Sequence, residues 1–193
     1  MTDKKNQFTP SQPKGPFYPI VEQSDKDCDL TTFRDNLTDE EDIQIAEGEV
    51  IFIEGCVTDP EGEPIINAKV DIWQANSAGR YAHEADSNPN PLDKNFQGWA
   101  IARTDGKGRY CFKTIRPGSY PARVDWERPP HIHFEVSVSG FTKLVTQMYF
   151  ENELLNDKDP YIQNLSEDQK SALIIKKNSE SETYIFNIKL AEV

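Results

Sequence analysis

Three things are scarce in this chain, and each scarcity excludes something. Cysteine occurs only at Cys28, Cys56 and Cys111. An odd count at wide spacing gives neither a disulfide framework nor zinc-finger spacing, and reads as reduced thiols in a cytoplasmic protein. Positive charge is short, with 21 Lys+Arg against 33 Asp+Glu and a net charge of -12. Such a surface repels phosphate backbones and anionic lipid, which argues against nucleic-acid and membrane partners. Long apolar runs are missing: none approaches the ~18 residues of a membrane span. The opening MTDKKNQFTP also lacks the apolar stretch of a signal peptide. A soluble, cytoplasmic protein is the expectation.

Turn formers, by contrast, are plentiful. Thirteen prolines and ten glycines in 193 residues favour short strands over long helices. Residues 1–20 are polar and proline-rich, which reads as an extended arm, and residues 22–48 are acidic and aperiodic, which reads as loop with one helical turn. From Glu49 the pattern becomes β-rich. Val50-Ile51-Phe52-Ile53 and Gly55-Cys56-Val57 lead to the turn Asp59-Pro60-Glu61-Gly62, then to Ala68-Lys69-Val70-Asp71-Ile72-Trp73. Turn chemistry between two such runs signals a hairpin or a strand connection. Further strands are expected at 99–103, 109–114, 131–138, 143–150 and 183–190. One short helix is expected near 166–176, where Ser166 and Gln169 have capping-box spacing. Residues 82–98 form a long connection without a period, and a connection that long in a compact domain is usually functional or disordered. The expected fold is all-β: a single β-sandwich domain, with an N-terminal arm and loop region over 1–48 and a catalytic core over 49–193.

The chain has three histidines, and two stand in His131-Ile132-His133. On a strand, residues i and i+2 face the same way, so His131, His133, Glu135 and Ser137 share one face. Ile132, Phe134, Val136 and Val138 take the other. Two imidazoles on a rigid strand suit a metal; two surface histidines beside an acid are the plainer reading. Zinc would need a further ligand such as Glu135. Tyrosines are another option. Holding a phenol as phenolate at pH 7 needs a shift of about 3 units, which a trivalent ion can supply. Tyr81 and Tyr120 sit at loop–strand junctions behind Gly79-Arg80 and Gly118-Ser119. Arg128 stands in the stiff Arg128-Pro129-Pro130 lead-in to the histidines, and is a candidate for stabilising developing negative charge. Gln147 lies mid-strand among apolar residues and needs partners for its amide.

Taken together, these blocks resemble the intradiol ring-cleavage dioxygenases, and most of all the protocatechuate 3,4-dioxygenase branch. The likeness is carried by Thr9-Pro10-Ser11-Gln12, Gly15-Pro16-Phe17-Tyr18, Cys28-Asp29-Leu30-Thr31 and Val70-Asp71-Ile72-Trp73-Gln74-Ala75-Asn76. It is strongest at Gly79-Arg80-Tyr81-Ala82-His83, Thr114-Ile115-Arg116-Pro117-Gly118-Ser119-Tyr120-Pro121 and Arg128-Pro129-Pro130-His131-Ile132-His133-Phe134. The resemblance implies a mononuclear non-haem Fe(III) held by Tyr81, Tyr120, His131 and His133, with no organic cofactor. It implies Arg128, Gln147 and Tyr120 as catalytic residues, and Gly15, Pro16, Trp73 and Tyr161 as substrate-pocket residues. The implied reaction inserts both atoms of O2 into a catechol-type aromatic, namely protocatechuate, catechol or hydroxyquinol, and gives a cis,cis-muconate-type product. The alternative is a non-catalytic β-sandwich partner subunit of a dioxygenase complex.

Two departures bear on the substrate and the assembly. Ala122 stands where the branch has a tryptophan, and no arginine is evidently placed to hold a substrate carboxylate. The arm resembles that of a non-catalytic chain while the four ligands resemble a catalytic one. A homo-oligomer is therefore expected, with the arm of one subunit reaching toward another's iron, or else a related partner chain.

Overall fold

In the computed structural model, residues 8–20, 28–33, 44–181 and 183–193 are described. The expected helical turn within 22–48 falls largely on residues 21–27 and 34–43, outside the described residues, as do residues 1–7 of the arm. The strands are β1 (Val50–Thr58), β2 (Lys69–Trp73), β3 (Trp99–Arg103), β4 (Arg109–Ile115), β5 (Tyr120–Arg123) and β6 (Trp126–Arg128). They continue as β7 (His131–Ser137), β8 (Leu144–Phe150), β9 (Ile174–Ile175), β10 (Thr183–Ile185) and β11 (Ile188–Lys189). Two short helices, α1 (Pro160–Gln163) and α2 (Glu167–Leu173), precede β9.

Strand alternation builds two layers. In β1, Ile51, Ile53 and Val57 turn inward while Val50, Phe52 and Glu54 stay at the surface. β1 pairs antiparallel with β4 and parallel with β10 and β11. The second sheet runs β3-β2-β7-β8-β9. One apolar core joins Ile51, Ile53 and Phe112 of the first sheet to Val70, Phe134 and Met148 of the second. This is the expected β-sandwich. The Asp59–Gly62 turn carries the chain between the layers; it closes no hairpin, because β1 and β2 lie in different sheets. The expected strand over 183–190 is interrupted. The Phe186 carbonyl, which accepts from the Tyr110 hydroxyl at 2.5 Å, crosses β1 where only the bare Cα of Gly55 leaves room.

The predicted capping box forms: Ser166 Oγ accepts from Gln169 N–H, and the Gln169 side chain accepts from Ser166 N–H. α1 was not expected from periodicity, since four residues show none. Its local signal is Asp159 at the N-cap followed by Pro160 at N1.

β7 lies between β2 and β8 and is buried from His131 to Val136 on both faces. The apolar face meets the core. The polar face is covered by the arm, which lies on its own chain: Gln12 N–H donates to Val145 O at 2.8 Å, and Gln147 Nε2 donates to Pro13 O at 2.6 Å. Residues 8–20 thus cover the histidines of the same chain.

Two glycines bring the tyrosine loops together. A Cβ at Gly79, whose φ is 78°, would strike the Ser119 carbonyl; one at Gly118 would strike the Ser77 carbonyl. Asn76 ties both loops, its carbonyl accepting from Gly79 N–H at 3.0 Å and Gly118 N–H at 2.9 Å. Gly79→Ala is expected to cost the roughly 1–2 kcal/mol of a side chain at positive φ, and also to push the Ser119-Tyr120 segment away. A lower Tm together with an altered near-ultraviolet circular dichroism of the tyrosines would show both effects; unchanged values would refute the steric argument.

Candidate active site

The site begins at the entry of β7. His131 Nδ1 lies 2.6 Å from the Pro129 carbonyl, which assigns the ring proton to Nδ1 and leaves Nε2 as a bare lone pair. That Nε2 lies 3.2 Å from His133 Nε2 and 3.4 Å from the Tyr120 hydroxyl. The His133 ring is stacked on the Trp73 indole at 4.8 Å with 6° between planes. Gly15 passes so close above His133 that a Cβ there would sit 3.2 Å from Cε1. The Tyr81 ring stands edge-on to Tyr120 at 5.5 Å, and its buried hydroxyl has no hydrogen-bond partner among the described residues.

These facts test whether a cation fits. Two imidazole nitrogens aimed at one point repel unless a proton or a cation lies between them, and a buried hydroxyl without a partner costs about 1–3 kcal/mol. Burial, then the nearby Arg128 charge, lowers the pKa of His131 and His133 well below the ordinary range. Both rings are therefore neutral, as metal donors must be. Burial raises Tyr120, and burial together with Tyr120 raises Tyr81 well above the usual phenol. Without a cation the set is four neutral donors around a polar hole; a highly charged ion reverses the phenol shifts. The four side chains fit such an ion.

Zinc with a carboxylate does not fit. Glu135, on the same strand face, is buried and held by Lys14 Nζ at 2.8 Å and Lys143 Nζ at 3.0 Å. Among the described residues no group of three or more His, Cys, Asp or Glu gathers around one point. The surface-histidine reading fails as well, since His131 and His133 are each 2% exposed.

Arg128 is buried at the end of β6. Its Nε donates to Asp159 Oδ2 at 2.6 Å, and its Nη2 donates to Gln147 Oε1 at 2.7 Å and to the Tyr149 hydroxyl at 3.2 Å. Burial works against the guanidinium charge, but Tyr149, Tyr120 and Asp159 outweigh it. Asp159 and Tyr149 were missed from sequence. Gln147 was singled out, and its amide is satisfied by Arg128 and the arm.

A cavity of about 480 Å³ opens over Tyr120 and Arg128, with Gly15, Pro16, Gln147 and Tyr161 also in its wall. Trp73 does not line it: the indole is spent supporting His133 from behind. Arg123, on β5, does line it and was not anticipated as a pocket residue. His83 stays outside the cluster, accepting from Ala85 N–H at 3.1 Å.

A family model described as Dioxygenase matches residues 14–192. The protocatechuate 3,4-dioxygenase beta chain of Burkholderia cepacia is 45% identical over 130 residues, covering 66% of this chain and 55% of that protein. The catechol 1,2-dioxygenase of Candida albicans is 40% identical over 111 residues, covering 51% of this chain and 35% of that protein. The chain thus spans about half the length, or less, of these curated relatives. In fold, it is similar to the 3-chlorocatechol 1,2-dioxygenase from Rhodococcus opacus 1CP, with a TM-score of 0.73 at 24% identity over 95% of this chain and 72% of that one.

The placement of Glu135 separates the metal readings. Glu135→Gln is expected to leave the bound metal per chain unchanged, whereas His133→Ala lowers it markedly. Loss of metal in Glu135→Gln, measured by atomic absorption, would restore the carboxylate as a ligand.

Proposed function

The chain belongs to the family of intradiol ring-cleavage dioxygenases, and from that membership we propose that it inserts both atoms of O2 into a catechol-type aromatic. The C–C bond between the two hydroxyl-bearing carbons breaks, and each of those carbons gains one oxygen atom. A cis,cis-muconate-type diacid results. All atoms of catechol and O2 are accounted for in that product, so no organic cofactor or outside reductant enters. The observation that supports this most is the meeting of His131 Nε2, His133 Nε2 and the Tyr120 hydroxyl, spaced 3.2 and 3.4 Å from His131 Nε2, under an open cavity.

Tyr81, Tyr120, His131 and His133 are the residues that would hold a mononuclear non-haem Fe(III). When bound, that ion supplies Lewis acidity, which makes a ligated catecholate ring reactive toward O2 at carbon. The chain's own residues do the rest. Tyr120 both belongs to the donor set and lines the cavity, so its Oη is placed to take a proton from a substrate hydroxyl. Arg128 has Nε and Nη2 engaged, and Nη1 has no hydrogen bond with a described residue. Nη1 is the donor left for a substrate oxygen that gains charge as the ring becomes ketonic. Gln147 holds Arg128 rather than the substrate, because its Oε1 accepts from Arg128 and its Nε2 donates to Pro13 O. The buried surroundings strengthen each of these interactions.

Arg123 narrows the substrate class. It lines the cavity, is exposed and makes no ion pair with a described residue, and its guanidinium carbon lies 5.9 Å from the Trp126 ring centre, which leaves its N–H groups for an anionic ring substituent. A carboxylated catechol such as protocatechuate is accordingly favoured over unsubstituted catechol. The Burkholderia relative is named a beta chain, and we place assembly with further copies, or with a related chain, in the same proposal.

The visible spectrum tests the reaction class. Purified protein is expected to be red-brown from tyrosinate–Fe(III) charge transfer, and the band should move to longer wavelength on adding catechol without oxygen. A colourless protein after iron is restored would overturn the assignment of Tyr81 and Tyr120. For substrate choice, Arg123→Ala is expected to raise KM for a carboxylated catechol by about tenfold or more, the worth of one charge-assisted hydrogen bond, with KM for catechol little changed. Equal changes for both would remove Arg123 from the substrate site.

A further inference from the structure

Asp159 belongs to no motif read from the sequence, yet both of its carboxylate oxygens are committed inside the site. The residue is fully buried. Its Oδ1 accepts from Tyr161 N–H at 2.8 Å, capping α1, and its Oδ2 accepts from Arg128 Nε at 2.6 Å. α1 is only four residues long, far below the length at which a helix holds itself. Its cap and the burial of Ile162 are what fix it. The helix carries Tyr161, whose ring centre lies 4.7 Å from the Arg128 guanidinium carbon and which stands in the cavity wall. One carboxylate therefore sets the position of two residues that face the cavity.

We propose that Asp159 is a positioning residue of the ring-cleaving site, fixing Arg128 and Tyr161 in one arrangement. The proposal rests on the reading given under Proposed function. With Nε tied to Asp159 and Nη2 tied to Gln147 and Tyr149, the planar guanidinium has its orientation fully determined. Only Nη1 remains to address the substrate. Remove the acceptor on Nε and the fork can rotate about its last bonds, so the donor aimed at the developing oxyanion loses its direction while its charge persists. Asp159 also balances that charge. Arg128 then acts through a directed hydrogen bond more than through a net positive field.

A cycle of variants in the Fe(III)-loaded protein tests this. Asp159→Ser retains a good N-cap for α1 but takes the acceptor from Arg128. Iron content and the visible band should be unchanged, and the dissociation constant for catechol without oxygen should stay within about threefold. The kcat should fall about tenfold to hundredfold, less than the about 10²–10³ lost when an oxyanion donor is removed outright. In an Arg128→Ala background the same substitution should change kcat by less than about threefold, because there is no guanidinium left to orient. Equal losses in both backgrounds, or an undiminished kcat in Asp159→Ser, would overturn the assignment. If Asp159→Ser fails to fold, Asp159→Asn runs the same cycle: its single amide oxygen cannot serve both Arg128 and Tyr161. A wild-type protein that binds iron but cleaves neither catechol nor protocatechuate nor hydroxyquinol would overturn the ring-cleavage reading itself, an outcome distinct from failure of the Asp159 cycle.

Discussion

Everything in this molecule turns on the burial of a polar strand face. β7 presents His131, His133 and Glu135 on one side, and such a face can leave water only if its polar atoms find partners. The arm provides much of that. Lys14 neutralises Glu135 together with Lys143, Tyr18 donates to Asp71 Oδ2 at 2.7 Å on the neighbouring strand, and the Pro13 carbonyl accepts from Gln147. What the arm does not answer is the space between the two Nε2 atoms and the hydroxyls of Tyr81 and Tyr120. That point is where the four donors would meet a cation.

The tyrosines reach the same point by another route. Neither comes from β7; Tyr81 stands on a loop and Tyr120 at the start of β5, and the two segments approach only because Gly79 and Gly118 have no side chains. The sheet fixes the histidines rigidly, and the glycine contact fixes the phenols against them. The division suits the chemistry. The neutral nitrogen donors need a stiff platform, whereas a phenol proposed to exchange a proton is better placed at the end of a short strand beside the cavity. Tyr120 is that phenol: it lines the cavity, and Tyr81 does not.

Much of this was legible in the sequence, for identifiable reasons. β-branched runs between Gly and Pro turns gave most strands of the sandwich, and the i, i+2 spacing of His131 and His133 gave their common face. Ser166 and Gln169 gave the capping box of α2 because that signal is local. What was not legible depends on contacts between distant segments. Alternation along β7 cannot reveal that its polar face is covered, since the cover is supplied by residues more than a hundred positions earlier. Trp73 looks like a pocket residue in sequence, and only the pairing of β2 with β7 shows it behind His133. Asp159 is separated from Arg128 by 31 positions, and a lone Asp-Pro reads as a turn. Arg123 sits on a strand too short to show a period.

The charge of the chain poses a last question: how a protein with a net charge of -12 could favour an anionic ring substituent. Distance and screening answer it. At physiological salt the Debye length is about 8 Å, so surface carboxylates beyond that range contribute little inside the cavity. What remains is local. Arg128 and Asp86 both stand in the cavity wall, but Arg128 is paired with Asp159, and Asp86 spends its carboxylate on the Tyr81 and Asn88 amides at 2.7 and 2.9 Å. The Arg128–Asp159 pair is balanced and its value lies in direction, whereas Asp86 keeps its negative charge while neutral amides hold its oxygens. Arg123 makes no ion pair among the described residues, and its guanidinium carbon lies 5.9 Å from the Trp126 ring centre. In the proposed reading the two arginines divide the labour: Arg128, paired with Asp159, is assigned to the reacting ring, and Arg123, exposed on β5, to what the ring carries.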